Sequence, residues 1–339
     1  MPPRFIVHIG PPKTGTSSLQ EALSQNRDQL LAQGYDYPDF GRHPEMPHLP
    51  GHHGIAESLQ QRQELPEGFA AALDQLSPDH RVIFSSENFA HLPPEAVQLL
   101  VQALGPDNVE VVYYARRWEQ LLPSVWQELI KHGHSQSYLE FLNHQTSAPL
   151  ASVYLNYMNV LNRWSEAVGV DQLRIFAYDN LRSAGLDVVQ HFCTHVLGIQ
   201  LQQKQPRQDN PRQTVGRCET LRMLNWLAFG GKAGSPRVRM ALDQHTARLH
   251  QELADLDAIY EPYIRRVRLC APFVFPHVER RFLSLYGDRV ENLAEDGRLF
   301  QDREILAAPY VHPNYMLEEG AVPRLRQLLV QIGQRGEGE

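Results

Sequence analysis

Cysteine is scarce: the 339 residues contain three, Cys193, Cys218 and Cys270. An odd number at wide spacing suits reduced, partly buried thiols in a reducing compartment better than a disulfide framework. His191, Cys193 and His195 alternate in HFCTH, and on a helix that spacing is expected to splay them over different faces, which argues against a metal site. Long apolar runs are missing too. No stretch approaches the ~18 residues of a membrane span. The apolar run in MPPRFIVHIG is too short for a signal peptide and lacks a small-residue cleavage site. A soluble, cytoplasmic protein is expected. An excess of positive charge is also lacking, since the formal net charge is −7. A polyanion-binding surface over the whole protein is therefore a poor expectation, and so is nucleic acid as a partner; a local basic pocket remains open. No internal repeat is found.

What is present is enough apolar sequence for a packed core, with 42% hydrophobic and 21% charged residues. Short β-branched runs predict strands at Phe5–Ile9, Val82–Ser85, Val109–Ala115 and Leu173–Ala177. Between them, helical patterns are expected over 16–32, 54–62, 67–76, 94–104, 121–131, 152–168 and 183–197, with a loop rich in Pro, Gly and His over 35–54. Pro94 in a first turn and Gly105 just past the last turn are good end signals. Strands alternating with helices predict a parallel sheet covered on both faces. After residue 200 the strand signals fade and 216–270 reads as mainly helical. The expected organisation is a core over 1–200 and a mostly helical region over 201–339 that completes the same domain.

The segment HIGPPKTGTSSLQ, His8 to Gln20, is a strand, a turn and a helix start. Such a turn presents backbone N–H groups at a helix N-terminus, where an anion is stabilised. A nucleotide kinase would need a lysine directly after the second glycine. Gly10 and Gly15 have the kinase glycine spacing, but Thr16 holds the lysine's place and the lysine stands earlier, at Lys13. A lysine inside the turn would lie over a 5′-phosphate and its bridging oxygen, where it stabilises a leaving phosphate. The plain alternative is a Gly/Pro turn capped by Thr or Ser.

PKTGTSS, Pro12 to Ser18, resembles the 5′-phosphosulfate-binding loop of the sulfotransferases that use 3′-phosphoadenosine 5′-phosphosulfate (PAPS), in particular their bacterial branch. The resemblance implies a P-loop-like three-layer α/β/α fold with a central parallel sheet. It implies that Lys13 contacts the bridging oxygen, and that Pro12, Thr14, Gly15, Thr16, Ser17, Ser18 and the turn amides hold the 5′-phosphate. That family also carries an Arg at the end of a later strand and a Ser eight positions on, both on the 3′-phosphate. VVYYARRWEQLLPS supplies Arg116 and Ser124 at that spacing. Pro123 cannot donate an N–H, so it is expected in the first turn of a helix, placing Ser124 near that N-terminus. Arg117 is expected to face solvent. A later segment ending in LRIFAYDNL also resembles the bacterial branch and implies Tyr178 beside the nucleotide; a core-edge tyrosine is the alternative. The cytosolic eukaryotic members stack a Trp on adenine directly after the loop, where this chain has Ser18. Their late Arg-Lys-Gly turn is not found; Arg212 and Arg217 are its candidate substitutes.

Transfer to an acceptor hydroxyl benefits from a base within hydrogen-bond reach. Glu87, after the strand in VIFSSENF, is one candidate catalytic residue beside Lys13. The other comes from the histidines His43, His48, His52 and His53 of the loop, of which His53 is the one weighed against the favoured Glu87; a merely solvated loop is an equal alternative, and a metal cluster is not expected. Trp118, Trp126 and the 35–54 loop are expected either to shape an acceptor pocket or to pack in the core. The expected activity is sulfuryl transfer from PAPS, with 3′,5′-adenosine diphosphate as product and no metal, to a small-molecule or glycan hydroxyl. The competing expectations are a divergent P-loop kinase, against which the lysine position and the missing Asp-ended strand argue, and a non-catalytic nucleotide-binding protein.

Overall fold

The computed structural model describes residues 4–43, 45–46, 49–201, 213–232, 234–269, 275–301 and 304–334. The chain forms two compact units. One comprises Met1–Arg117, Pro149–Asp209 and Pro272–Arg303; the other comprises Trp118–Ala148, Asn210–Ala271 and Glu304–Glu339.

The first unit is built on a five-stranded parallel sheet of β1 (Phe5–His8), β2 (Tyr35–Asp36), β3 (Arg81–Ser85), β4 (Val109–Ala115) and β5 (Leu173–Ala177), in the order β2-β3-β1-β4-β5. β1 sits at the centre and every residue of FIVH is buried, as a strand covered on both faces requires. On one face Ile6, Ile83, Val112, Tyr114 and Phe176 pack with Leu19 and Leu23 of the Thr16–Gln25 helix and with Val188, Val189 and Phe192. On the other, the Tyr113 ring meets Tyr157 at 6.3 Å, and Trp164 of the Met158–Val168 helix meets Phe89 at 6.3 Å. Helices therefore cover both faces, and the chain is a three-layer α/β/α fold.

Several boundaries differ from the sequence expectation, each for a local reason. The helix expected over 16–32 breaks at Asn26, whose side chain donates to Ala22 O at 2.8 Å, and resumes as Arg27–Leu31. An Asn side chain offers the backbone an alternative partner. β2 is a two-residue edge strand inside what reads as loop. The helix expected over 183–197 starts only at Val188 and is two pieces, with a separate helix before them. Tyr178–Ser183 comes first. Asp187 then caps Val188–His191 by accepting from Gln190 N at 2.7 Å, and a π-helical turn, Phe192–Leu197, follows and ends at Gly198. His191 and His195 are not splayed apart: their rings stack 4.5 Å apart, because residues four apart share a helix face. Tyr114 and His191 Nδ1 are hydrogen-bonded at 3.0 Å. Cys193 and Cys218 are buried free thiols, and burial pushes Cys193 up to about 12.

The second unit holds the helices Trp118–Lys131, Tyr138–Ser147, Val215–Phe229, Arg237–His245, His250–Tyr260 and Ala321–Gln331. It also holds an antiparallel pair, β6 (Ile264–Arg268) and β7 (Ala307–Val311). β6 escapes a hydrophobic-pattern reading because IRRVR is largely exposed. At the centre of this unit Arg222 donates to both carboxylate oxygens of Glu219 (2.8 and 2.6 Å) and to Ser135 O (2.9 Å), while Tyr315 donates to Glu219 at 2.6 Å. The pair is buried but fully hydrogen-bonded, the condition under which a buried charge pair is tolerated. Trp126 is also buried, and its Nε1 donates to Gln136 O at 2.9 Å. The Trp118–Lys131 helix starts three residues before the expected 121, so Pro123 lies inside it and not in its first turn. Only one ladder bond is lost there, the one to Glu119 O. Among the described residues no helix is long and apolar enough to cross a membrane.

Candidate nucleotide and transfer site

The loop after β1 is fixed to β4 before it turns. Ile9 N donates to Val112 O at 3.0 Å, and Tyr114 N donates to Gly10 O at 3.1 Å. The Thr14 hydroxyl donates to Pro11 O at 2.7 Å and is buried. Two residues then take left-handed conformations, Lys13 (φ 70°) and Gly15 (φ 78°). For a lysine this is an uncommon backbone state, costing roughly 1–2 kcal/mol, and such strain concentrates at functional sites. At Gly15 a side chain is excluded twice, by φ and by space: a Cβ would stand 2.5 Å from Val188 Cγ1. Gly15 is the N-cap of the Thr16–Gln25 helix and offers no capping side chain. The first-turn amides of Thr16 and Ser17 are among those that a helix leaves without an intrahelical carbonyl. They point where an anion would be held, with the positive end of the helix dipole behind them.

Arg116 leaves the end of β4, and its guanidinium donates to Lys13 O. It also lies over the Tyr178 ring, 5.4 Å from the centroid. The Tyr157 hydroxyl donates to Arg116 O, and Arg117 N donates to Asp179 Oδ2 at 2.7 Å, so the strand exit is held from two sides. Arg117 does not face solvent; it is 4% exposed. Its amide is committed to a buried carboxylate, and that draws the residue inward. Burial pushes the Asp179 carboxyl up, opposed by the hydrogen bond from Arg117 N and by the charges of Arg116, Arg117 and Arg182. Tyr178 begins the helix directly after β5, with its hydroxyl 3.9 Å from where a Cβ on Gly15 would stand. The loop, Arg116 and Tyr178 are thus brought together within the first unit. Ser124 belongs to the second unit. It lies in the second turn of its helix, where its hydroxyl donates to Gln120 O at 3.0 Å, so the expected place near an N-terminus is corrected.

Glu87 opens a 3-10 turn, Glu87–His91, immediately after β3. It lies against the loop: a Cβ on Gly10 would stand 3.0 Å from Glu87 Cα. Gln20 Nε2 donates to Glu87 Oε2 at 3.0 Å. His53 opens the His53–Gln61 helix, and its Nδ1 is hydrogen-bonded to Ser86 Oγ at 2.9 Å. The two candidate bases are therefore next to one another through Ser86. The other histidines disperse. Ser85 N donates to His52 Nδ1 at 3.1 Å and His52 Nε2 faces Pro38 O at 3.0 Å, which assigns a neutral ring protonated on Nε2; burial pulls its pKa down to about 3. His43 pairs with Glu57 at 3.0 Å. His48 and Arg212 lie outside the described residues. Arg217 donates to Thr246 at 2.7 Å within the second unit.

No protein-family model matches the chain, and no curated protein matches it. Among solved structures the chain is similar to a sulfotransferase from Alicyclobacillus acidocaldarius, at 15% identity and a TM-score of 0.39, over 76% of this chain and 99% of that one. It is also similar to a retinol dehydratase in complex with androsterone and the inactive cofactor PAP, at 12% identity and a TM-score of 0.30, over 77% of this chain and 82% of that one.

Three residues of the site escape a reading of the sequence. Gln20 carried a signal, since it stands four residues after Thr16 and so on the same helix face. Ser86 stands two residues before Asn88, whose N–H it accepts at 3.2 Å, an N-cap pattern readable from SEN. Asp179 follows Tyr178 directly, but nothing in its neighbourhood points to an amide 62 residues earlier.

Proposed function

We propose that this protein is a sulfotransferase that moves the sulfuryl group of PAPS to an acceptor hydroxyl of a sugar or glycan. The observation that carries the reading is the Arg116–Lys13 contact, which joins the two motifs that the donor's two phosphate ends would need. In this reading the turn amides and the hydroxyls of Thr16 and Ser17 hold the 5′-phosphate. Arg116 takes the 3′-phosphate through its planar, always-charged fork, with Tyr178 packed beneath it.

Glu87 then acts as general base. The acceptor oxygen forms the new bond to sulfur, Glu87 takes the hydroxyl proton, and the bond from sulfur to the bridging oxygen breaks with its electron pair on that oxygen. The Lys13 ammonium stabilises the charge that develops there, and 3′,5′-adenosine diphosphate leaves. The work is positioning and charge stabilisation, as in phosphoryl transfer.

The test is calorimetry followed by transfer. The protein is expected to bind 3′,5′-adenosine diphosphate without metal and far better than ATP, and to label one of a panel of sugars and glycans from radiolabelled PAPS. Equal or tighter ATP binding that needs Mg²⁺ would turn the assignment to a kinase. Binding of the diphosphate with no transfer to any acceptor would leave a nucleotide-binding protein.

A further inference from the structure

Gln20 is 2% exposed, although it carries a primary amide. A buried amide must place its donors and its acceptor. Its Nε2 donates to Glu87 Oε2 at 3.0 Å. Its Oε1 lies 2.7 Å from the point where a Cβ on Gly51 would stand, and His53 Nε2 lies 2.5 Å from the same point. Gly51 therefore leaves the space in which the Gln20 amide and the His53 ring converge, and a side chain there would displace one of them. On the far side His53 Nδ1 is tied to Ser86 Oγ, one residue before Glu87. Contacts run from Gln20 to Glu87, through Ser86 to His53, and back towards Gln20 across Gly51.

We infer that Gln20 is a positioning residue for Glu87, an inference that rests on the sulfotransferase reading above. An anionic carboxylate without a partner on either oxygen samples several rotamers. The Gln20 amide engages Oε2, which fixes the carboxylate plane and leaves Oε1 to receive the acceptor's proton. A base contributes only when held close to the proton it takes, and a displacement of about 1 Å costs roughly 10²-fold. Gln20 is rooted one helical turn after the loop, so the element that presents amides to the donor also aims the base. Donor and base are registered to one another through a single helix.

The experiment is a double-mutant cycle on the full chain. Gln20→Met keeps length and volume and removes the donor. Wild type, Gln20→Met, Glu87→Gln and the double variant are assayed with radiolabelled PAPS and the best acceptor of the sugar and glycan panel, alongside the Kd for 3′,5′-adenosine diphosphate. Gln20→Met is expected to lower kcat about tenfold or more, part of the 10²–10⁴ a general base supplies. The acceptor KM and the diphosphate Kd should stay within about twofold of wild type. In the Glu87→Gln background the same change is expected to do almost nothing further, because Gln20 acts through Glu87. An unchanged kcat, or an equal loss in both backgrounds, overturns the inference while leaving the sulfotransferase reading in place. A wild-type protein that transfers nothing from PAPS overturns that reading itself, and Gln20's role with it.

Discussion

The guanidinium of Arg116 donates to the carbonyl of Lys13, closing a contact between residues 103 apart in the sequence. It is possible because β4 lies beside β1 in the sheet, so that both chains leave the same edge. Ligands in open parallel sheets bind at that carboxyl edge. The contact also means that Arg116 supports the left-handed turn at Lys13 while presenting positive charge beside it. The consequences are separable by ligand.

Arg116→Ala is expected to weaken nucleotides that carry a 3′-phosphate by about 1.5–3 kcal/mol, the range of a charged hydrogen bond. Nucleotides without a 3′-phosphate should lose clearly less, because for them only the support of the Lys13 carbonyl is gone. Calorimetry with 3′,5′-adenosine diphosphate and adenosine 5′-monophosphate measures both. Equal losses would make Arg116 purely a support of the loop.

Gly15→Ala combines two separable penalties, a left-handed φ and a contact with Val188 at 2.5 Å. Overpacking and strain of this kind are expected to cost about 1–3 kcal/mol of stability and to damage 5′-phosphate binding more than 3′-phosphate binding. Adding Val188→Ala opens the space without relieving φ. The double variant should regain part of the stability lost and little of the affinity, as read by urea unfolding and calorimetry. Full recovery of both would show that φ at Gly15 is unimportant.

How much of this was legible beforehand depended on whether the signal was local. The Pro94–Leu104 helix and the strands Val109–Ala115 and Leu173–Ala177 are found at their expected bounds, because a proline, a glycine and β-branched runs mark them within a few residues. The loop at Lys13 was legible for the same reason. Boundaries set by a single side chain were not, such as the break at Asn26. Nor was the interior place of Pro123, because a proline tolerated early in a helix looks like a proline that starts one. The capping box of Ser137 and Glu140 in front of the Tyr138–Ser147 helix was readable but lay in a stretch assigned no element. Gln20 and Asp179 were hidden for a different reason: their partners lie 67 and 62 residues away and exist only once the sheet is formed.

Buried neutral histidines set the response to acid. Burial holds His8 and His52 down to about 3 and His191 to about 4, against 6.5 for a free ring. These folded-state values are depressed, so the unfolded chain binds protons that the folded one refuses. Stability is full above about pH 6.5 and falls as pH drops towards 3 to 4. At pH 5 each ring costs about 2 kcal/mol, from 1.36 kcal/mol per pH unit below 6.5. Urea unfolding at pH 7.5 and 5.0 is expected to show a large loss. His52→Gln should lower stability at both pH values, since it removes ring contacts to Tyr37 and Phe84, yet shrink the drop between them by about 2 kcal/mol. An unaltered drop would mean that His52 titrates normally in the folded protein.

Glu87 and His53 are neighbours through Ser86, and the identity of the base turns on which of them is free to take a proton. His53 Nδ1 already faces the Ser86 hydroxyl. Ser86 Oγ also accepts from Asn88 N, so the hydroxyl that holds His53 is itself tied into the Glu87–His91 turn. Its Nε2 lies on the other side, where the ring meets Gly51 and Gln20. Glu87 by contrast has one oxygen held by Gln20 and lies against Gly10, at the start of the donor loop. Glu87→Gln keeps shape and removes the basic carboxylate. It is expected to reduce turnover roughly 10²–10⁴-fold with the affinity for 3′,5′-adenosine diphosphate nearly intact. His53→Ala should cost less and act mainly on acceptor KM, because it loosens Ser86 and not the carboxylate itself. Both variants are to be compared by steady-state transfer from PAPS and by calorimetry. Should Glu87→Gln keep most of its turnover while His53→Ala loses it, the roles reverse and His53 is the group that takes the proton.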